Sequence, residues 1–248
     1  MIQIETDYGV MDVKLYNETP LHTKNMIKLV EKKFYDSLLF HRVIPDFMIQ
    51  GGDPDSKNAS TNKMLGTGGP GYTIPAEFVP SCIHKKGAIA AARLGGAQNP
   101  LKESSGSQFY IVQGKTYTDQ ELTMIENQRI EKMTNELIVS YVNKPENDTL
   151  KTRIMHLQKN QEHEQLQNVI ADIQEKIKPE IEELNTYRYT EEQKEVYKTI
   201  GGTPFLDYEY TVFGEVVDGF EVIDTIGSVA TQNSNRPVAD IKMIVRKK

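Results

Sequence analysis

The chain has 248 residues, 38% hydrophobic and 26% charged, with a formal net charge of −6. That length fits one large domain or a domain with an elaboration, and the acidic balance is a poor match for the phosphate backbone of nucleic acid. A single cysteine, Cys82, excludes an internal disulfide, and no run approaches the roughly eighteen apolar residues of a membrane-spanning helix.

The chain opens in strand. Ile2, Ile4 and Thr6 alternate with polar residues, Asp7-Tyr8-Gly9 signals a turn, and Val10 to Tyr16 alternates again, which together predict a hairpin. No basic segment followed by an apolar stretch precedes it. A chain complete as given is therefore expected in the cytoplasm, and one whose leader was trimmed in the periplasm or outside the cell. Thr19-Pro20 predicts a helix N-cap with proline at the first position, followed by a stripe of Met26, Ile27, Val30 and Phe34. Phe40 to Gln50 is apolar and β-rich, 51–85 is dense in Gly, Pro, Asn and Ser, and Ala88–Ala92 and Gln108–Val112 read as short strands.

Residues 115–203 change character. Glycine is absent from 115 to 200, and the stretch 115–203 holds 12 basic and 17 acidic side chains, which leaves the remainder nearly neutral. Thr118–Glu121 and Thr190–Gln193 are capping boxes. Leu122 to Tyr141 keeps helical spacing, Pro145 ends that helix, and Leu150 to Leu184 predicts a second with a kink at Pro179. The segment reads as a solvated helical hairpin with one apolar face, with a partner-binding arm as the alternative. From 204 the β pattern returns: a strand over Tyr210–Val217, a turn at Asp218-Gly219, a short helix over Phe220–Ile226, and a last strand in which Ile241 and Val245 alternate with either Met243 or Ile244. The expected organisation is a discontinuous domain, 1–114 with 204–248, interrupted by a helical insertion, 115–203.

Several local patterns do not carry chemistry. Gly66-Thr-Gly68-Gly-Pro-Gly71 has dinucleotide-loop spacing, but Tyr72-Thr73-Ile74-Pro75 behind it cannot start the helix such a site needs. Asp53-Pro-Asp55 begins like a calcium loop and then offers Asn58 and Met64 where glycine and glutamate are required. Cys82-Ile-His84, and His156 with His163, supply too few ligands for zinc. No metal and no cofactor are expected.

The segment Phe40-His41-Arg42-Val43-Ile44-Pro45-Asp46-Phe47-Met48-Ile49-Gln50-Gly51-Gly52-Asp53 resembles the signature of the cyclophilins, F-H-R-[IV]-I-x-x-F-M-x-Q-G-G-D. Gly106-Ser107-Gln108-Phe109-Tyr110-Ile111 resembles the family's G-S-Q-F-F-I, and Leu206-Asp207 followed by Phe213–Gly219 resembles L-D…F-G-x-V-x-x-G. The resemblance covers 2–114 and 204–246. It implies an eight-stranded closed antiparallel barrel capped by two helices, and cis/trans isomerisation of X-Pro bonds in peptides and in unfolded or flexible protein segments. Carried over position by position, it makes Arg42 the catalytic arginine. Phe47, Met48, Tyr110 and Leu206 become the proline pocket, and Gln50 the polar residue holding substrate backbone and the arginine. Ala92 and Arg93 become backbone partners of an extended substrate, and Phe205 and Tyr210 further aromatic wall. Four positions depart from the common pattern: Phe205 for tryptophan, Tyr210 for histidine, Tyr110 for phenylalanine and Arg93 for asparagine. Loss of the tryptophan N–H implies weak binding of the immunosuppressant cyclosporin.

Residue chemistry points the same way. Amide rotation faces a barrier of about 18–20 kcal/mol, and lowering it needs neither nucleophile nor metal. It needs a donor that favours the twisted state over both planar ones, beside an apolar pocket for the ring. An arginine presents such donors with a permanent charge. A proline-peptide binding module, with the insertion as its interaction surface, is the alternative, and turnover separates the two.

Overall fold

The computed structural model describes all 248 residues, Ala97 and Asn233 by their backbone alone. The alternation at the start of the chain produces β1 (Ile2–Thr6) and β2 (Gly9–Leu15), an antiparallel hairpin with Ile4 opposite Met11. Six further strands complete a closed barrel: β3 (Leu38–Ile44), β4 (Met48–Gly51), β6 (Ala88–Ala91), β8 (Phe109–Val112), β9 (Val212–Asp218) and β10 (Lys242–Lys247). Their order around the barrel is β1-β10-β3-β4-β8-β6-β9-β2. The strands pair antiparallel, and β10 joins β1 to β3, so the barrel is left without an open edge. A separate two-stranded sheet pairs β5 (Thr73–Ile74) with β7 (Ser104–Ser105).

The period-2 rule sorts the strand residues onto two faces. Ile49, Ile89, Phe109, Ile111, Val216, Met243 and Val245 face the barrel interior. The ends of this core are covered by α1 (Pro20–Glu31), through Met26, Leu29 and Val30, and by α7 (Phe220–Gly227), through Val222, Ile223 and Ile226. Burying each such side chain contributes about 1.5–3 kcal/mol. On the last strand Met243 is buried and Ile244 is 37% exposed, which fixes the register left open by the sequence.

Thr19 stands at the N-cap of α1, but its side chain makes no capping bond. Glu77 takes that role from 55 residues away: its carboxylate accepts from the backbone N–H groups of Leu21 (3.1 Å) and His22 (3.0 Å), and lies 2.7 Å from His22 Nδ1. The carboxylate satisfies two of the free N–H groups of the first turn and meets the positive end of the helix dipole.

The chain divides into two compact units, 1–117 with 195–248, and 118–194. The division lies a few residues inside the interval 115–203 because both ends of that interval pair within the barrel unit. Lys115 bridges Gly202, and the Tyr117 N–H donates to the Tyr197 carbonyl at 3.1 Å.

The helical unit contains α2 (Asp119–Val142), α3 (Asp148–Lys159), α4 (His163–Lys176), α5 (Lys178–Glu183) and the start of α6 (Glu191–Thr199). Thr118 and Glu121 form the reciprocal capping box of α2. Ile138, Val142, Ile154, Leu157, Val169, Ile173 and Ile177 make a core of their own. The sequence reading of one long helix from 150 to 184 is corrected: α3, α4 and α5 are separate. The first break has no glycine or proline at it; Gln161 adopts a left-handed φ of 59° and turns the chain. The second falls at Ile177, and Pro179 then sits in the first turn of α5, where its missing N–H is harmless.

Candidate active site

The strand faces turned away from the barrel interior carry a second apolar cluster: Met48, Ala88, Ala90, Tyr110, Val112 and Val212, with Phe47, Ala92, Leu206 and Tyr210 against it. A bulge supplies the geometry on β3. Phe40 pairs with Gly51 and Arg42 with Gln50, so His41 is the extra residue. In a regular strand Phe40 and Arg42, two residues apart, would share a face. The bulge breaks that alternation, so Phe40 enters the core and Arg42 turns to the other cluster. Strand pairing then sets Gln50 opposite Tyr110 and Met48 opposite Val112.

All but one of the side chains singled out in the sequence line a single cavity of about 150 Å³. Arg42 and Gln50 form its polar part and belong to a line of hydrogen bonds. Arg42 Nη1 donates to Gln50 Oε1 at 3.1 Å, Gln50 Nε2 to Gln108 Oε1 at 3.1 Å, and Gln108 Nε2 to the Gly68 carbonyl at 2.7 Å. This chain of neutral amides orients the guanidinium without neutralising it. Phe47, Met48, Tyr110, Leu206 and Tyr210 supply apolar and aromatic surface. Tyr110 and Tyr210 meet edge to face, with ring centroids 5.8 Å apart.

Phe205 is the exception. It does not line the cavity; it stacks on Phe47 with centroids 5.8 Å apart and is 49% exposed. Ala92 and Arg93 line the cavity, but not as a pair of free backbone partners. The Ala92 N–H donates to the Gln108 carbonyl (3.0 Å) and its carbonyl accepts from the Ser105 N–H (2.7 Å), so Ala92 offers a methyl wall. The Arg93 guanidinium is matched by Glu209: Nε donates to the Glu209 carbonyl (2.7 Å) and Nη2 to its carboxylate (2.9 Å). It lies 4.6 Å over the Tyr210 ring and holds that wall in place. Gln50, Ala92 and Arg93 also border an adjoining cavity of about 580 Å³ that extends past Gly68 and Asn99.

Several residues behind this surface escape sequence reasoning. Gln108 reads only as part of a motif, and it fixes Gln50. Glu209 carries no local signal, and it takes up the Arg93 charge. His84 reads only as a deficient metal ligand. It is 1% exposed and bonds Asp207 through Nδ1 (2.7 Å) and Tyr110 Oη through Nε2 (3.0 Å). Burial, with the neighbouring Tyr210 and Asp207, pushes the Tyr110 phenol well above its ordinary value. Among the described residues, no helix is long and apolar enough to cross a membrane.

The family model described as cyclophilin type peptidyl-prolyl cis-trans isomerase matches residues 1–125 and 158–247. The chain belongs to that family. Among similar proteins, a peptidyl-prolyl cis-trans isomerase of Synechococcus elongatus is 39% identical over 109 residues, 44% of this chain and 65% of that one. A Streptococcus pyogenes protein whose name joins a phosphatase to a peptidyl-prolyl cis-trans isomerase is 27% identical over 97% of this chain, which spans 37% of its length. A Staphylococcus aureus protein named for the same isomerase is 26% identical over 97% of this chain and 87% of its own. The chain thus spans less than two thirds of the first two relatives. A Cryptosporidium parvum cyclophilin, crystallised in the presence of the dipeptide Ala-Pro, shares the fold with a TM-score of 0.55 and 19% identity, covering 100% of this chain and 99% of that one. A cyclophilin barrel with helical additions is therefore the architecture.

Proposed function

We propose that this cyclophilin catalyses cis/trans isomerisation of X-Pro bonds in peptides and in unfolded or flexible protein segments, and so assists folding. The observation that carries the reading is the position of Arg42: a guanidinium held by a neutral amide at the wall of an apolar cavity of about 150 Å³. Proline is the substrate residue because its ring is apolar and its imide has no N–H to leave unpaired. Phe47, Met48, Leu206 and the two tyrosines hold the ring. As the bond twists, conjugation is lost and the lone pair localises on the imide nitrogen. An Arg42 N–H directed there bonds the twisted state more strongly than either planar state, which lowers the barrier. Gln50 and Gln108 hold the arginine in that direction before substrate arrives. The reaction makes and breaks no covalent bond and needs no cofactor.

Exchange NMR on an X-Pro tetrapeptide, with the chain at catalytic concentration, tests this. Wild type should accelerate exchange, and folded Arg42→Ala should lose about 10²–10³-fold, the loss typical of one transition-state donor. A folded Arg42→Ala with wild-type turnover would remove the arginine from the mechanism. Tight binding of one isomer without turnover would make the chain a binding module.

A further inference from the structure

Tyr110 puts a hydroxyl where an apolar wall is wanted. Its ring lines the cavity that the proposed function assigns to proline, yet a phenol O–H facing a proline ring would have to give up its hydrogen bond when substrate enters. Behind the ring, the structure supplies a dedicated acceptor. Tyr110 Oη lies 3.0 Å from His84 Nε2, within hydrogen-bond distance, and the two rings are near parallel, inclined by 14°.

Which atom holds the proton is decided on the other side of His84. Asp207 Oδ1 accepts from the His84 backbone N–H at 2.9 Å, a group that can only donate, and lies 2.7 Å from His84 Nδ1. A carboxylate oxygen beside Nδ1 makes Nδ1 the protonated nitrogen, and neutral imidazole then has Nε2 as its acceptor. Asp207 is itself held: its Oδ2 accepts from the Tyr197 hydroxyl at 2.6 Å, and Tyr197 is fully buried on α6. Gly202 lets these groups close up, since a Cβ there would stand 2.2 Å from the His84 carbonyl and 2.8 Å from the Tyr197 ring.

We propose that His84, fixed in its Nδ1-protonated tautomer by Asp207 and Tyr197, is a positioning residue that draws the Tyr110 hydroxyl proton out of the proline pocket, so that a tyrosine serves as an apolar wall. The inference rests on the isomerase reading. Without the acceptor, the Tyr110 hydroxyl turns to water in the empty pocket, and an entering proline strips that water away. The penalty falls equally on planar and twisted substrate, so it appears in KM and leaves kcat alone.

His84→Asn separates this role from a merely structural one, because asparagine keeps a donor for Asp207 and removes the acceptor for Tyr110. In the full chain, His84→Asn should raise KM for an X-Pro tetrapeptide roughly tenfold, the scale of one buried hydrogen bond left unmade. In a Tyr110→Phe background the same substitution should leave KM unchanged. An equal rise in both backgrounds, or no rise with tyrosine present, overturns the proposal. If His84→Asn does not fold, long-range ¹H–¹⁵N spectra of the wild-type imidazole decide. A proton on Nδ1 and a bare Nε2 are expected, and a proton on Nε2 refutes it. The spectrum needs no turnover, so an inactive wild-type chain would sink the isomerase reading without touching the tautomer.

Discussion

The barrel unit and the helical unit are built from the same kinds of apolar side chain, but their cores are specified differently. In the barrel, each strand faces two ways. Ile49 enters the interior while Met48 and Gln50, its neighbours, face the cavity, so a side chain's role is set by register and by the bulge at His41. In the helical unit, Ile138, Ile154, Leu157, Val169 and Ile173 gather into a single core. A two-faced element can hold a core and a site at once. A helix with one apolar stripe has used it once its own core is packed.

The largest test of that contrast cuts both cores. Ile49→Ala and Ile173→Ala each remove a fully buried side chain and should each lower the stability of their own unit by about 2–5 kcal/mol. Ile49→Ala should bring loss of turnover to lower temperature. Ile173→Ala should melt helix, read at 222 nm, while turnover on a tetrapeptide persists. Parallel loss of both signals in both variants would mean that the units are not energetically separate.

Acid should soften the barrel through His41. Burial lowers its pKa from 6.5 to about 4. The neutral ring is thus favoured in the folded state. Its stabilising contribution is complete above about pH 6.5 and is lost as pH falls toward about 4, up to roughly 3 kcal/mol in all. Urea midpoints at pH 7 and pH 4.5 should differ less in His41→Leu than in wild type. An unchanged difference would assign the acid sensitivity elsewhere.

Phe205 gives a smaller effect. Phenylalanine offers no N–H to a ligand carbonyl, so cyclosporin should inhibit weakly while peptide turnover stays ordinary. Phe205→Trp should tighten inhibition by about ten- to a hundredfold. Phe205 stacks on Phe47 at the rim and is 49% exposed, which leaves room for an indole. Equal, tight inhibition of both proteins would contradict this. The smallest effect is at the helical unit's entrance, where Thr118 caps α2. Thr118→Ala should cost about 1 kcal/mol of helix stability and leave kcat/KM unchanged; a drop in turnover would tie the cap to the site.

Legibility in the sequence tracks how locally each feature is encoded. The hairpin, α1, the capping boxes and the signature strands rest on neighbours within a few residues, and their pattern suffices. The break before α4 does not show, because Gln161 turns the chain without glycine or proline. The Glu77 cap of α1 and the link of Arg93 to Glu209 join residues 56 and 116 apart. The line from Tyr110 through His84 and Asp207 spans separations of 26 and 123 residues. Each half of such a pair looks ordinary alone. Tyr197 illustrates the consequence. A deletion joining Gly114 to Thr203, natural from the sequence pattern, would remove the hydroxyl that holds Asp207. The structure moves the junction to Tyr117 and Glu195.

That junction gives the most direct test of the central claim, that the barrel unit alone carries the chemistry. Exchange NMR on an X-Pro tetrapeptide would compare the whole chain with one in which a short Gly/Ser linker replaces residues 118–194. The account expects kcat/KM of the folded, shortened chain to match the whole chain within about threefold, a difference under 1 kcal/mol, and Arg42→Ala to lower both by about 10²–10³-fold. A shortened chain that folds, keeps its near-ultraviolet tyrosine signal and yet turns over no tetrapeptide would contradict it.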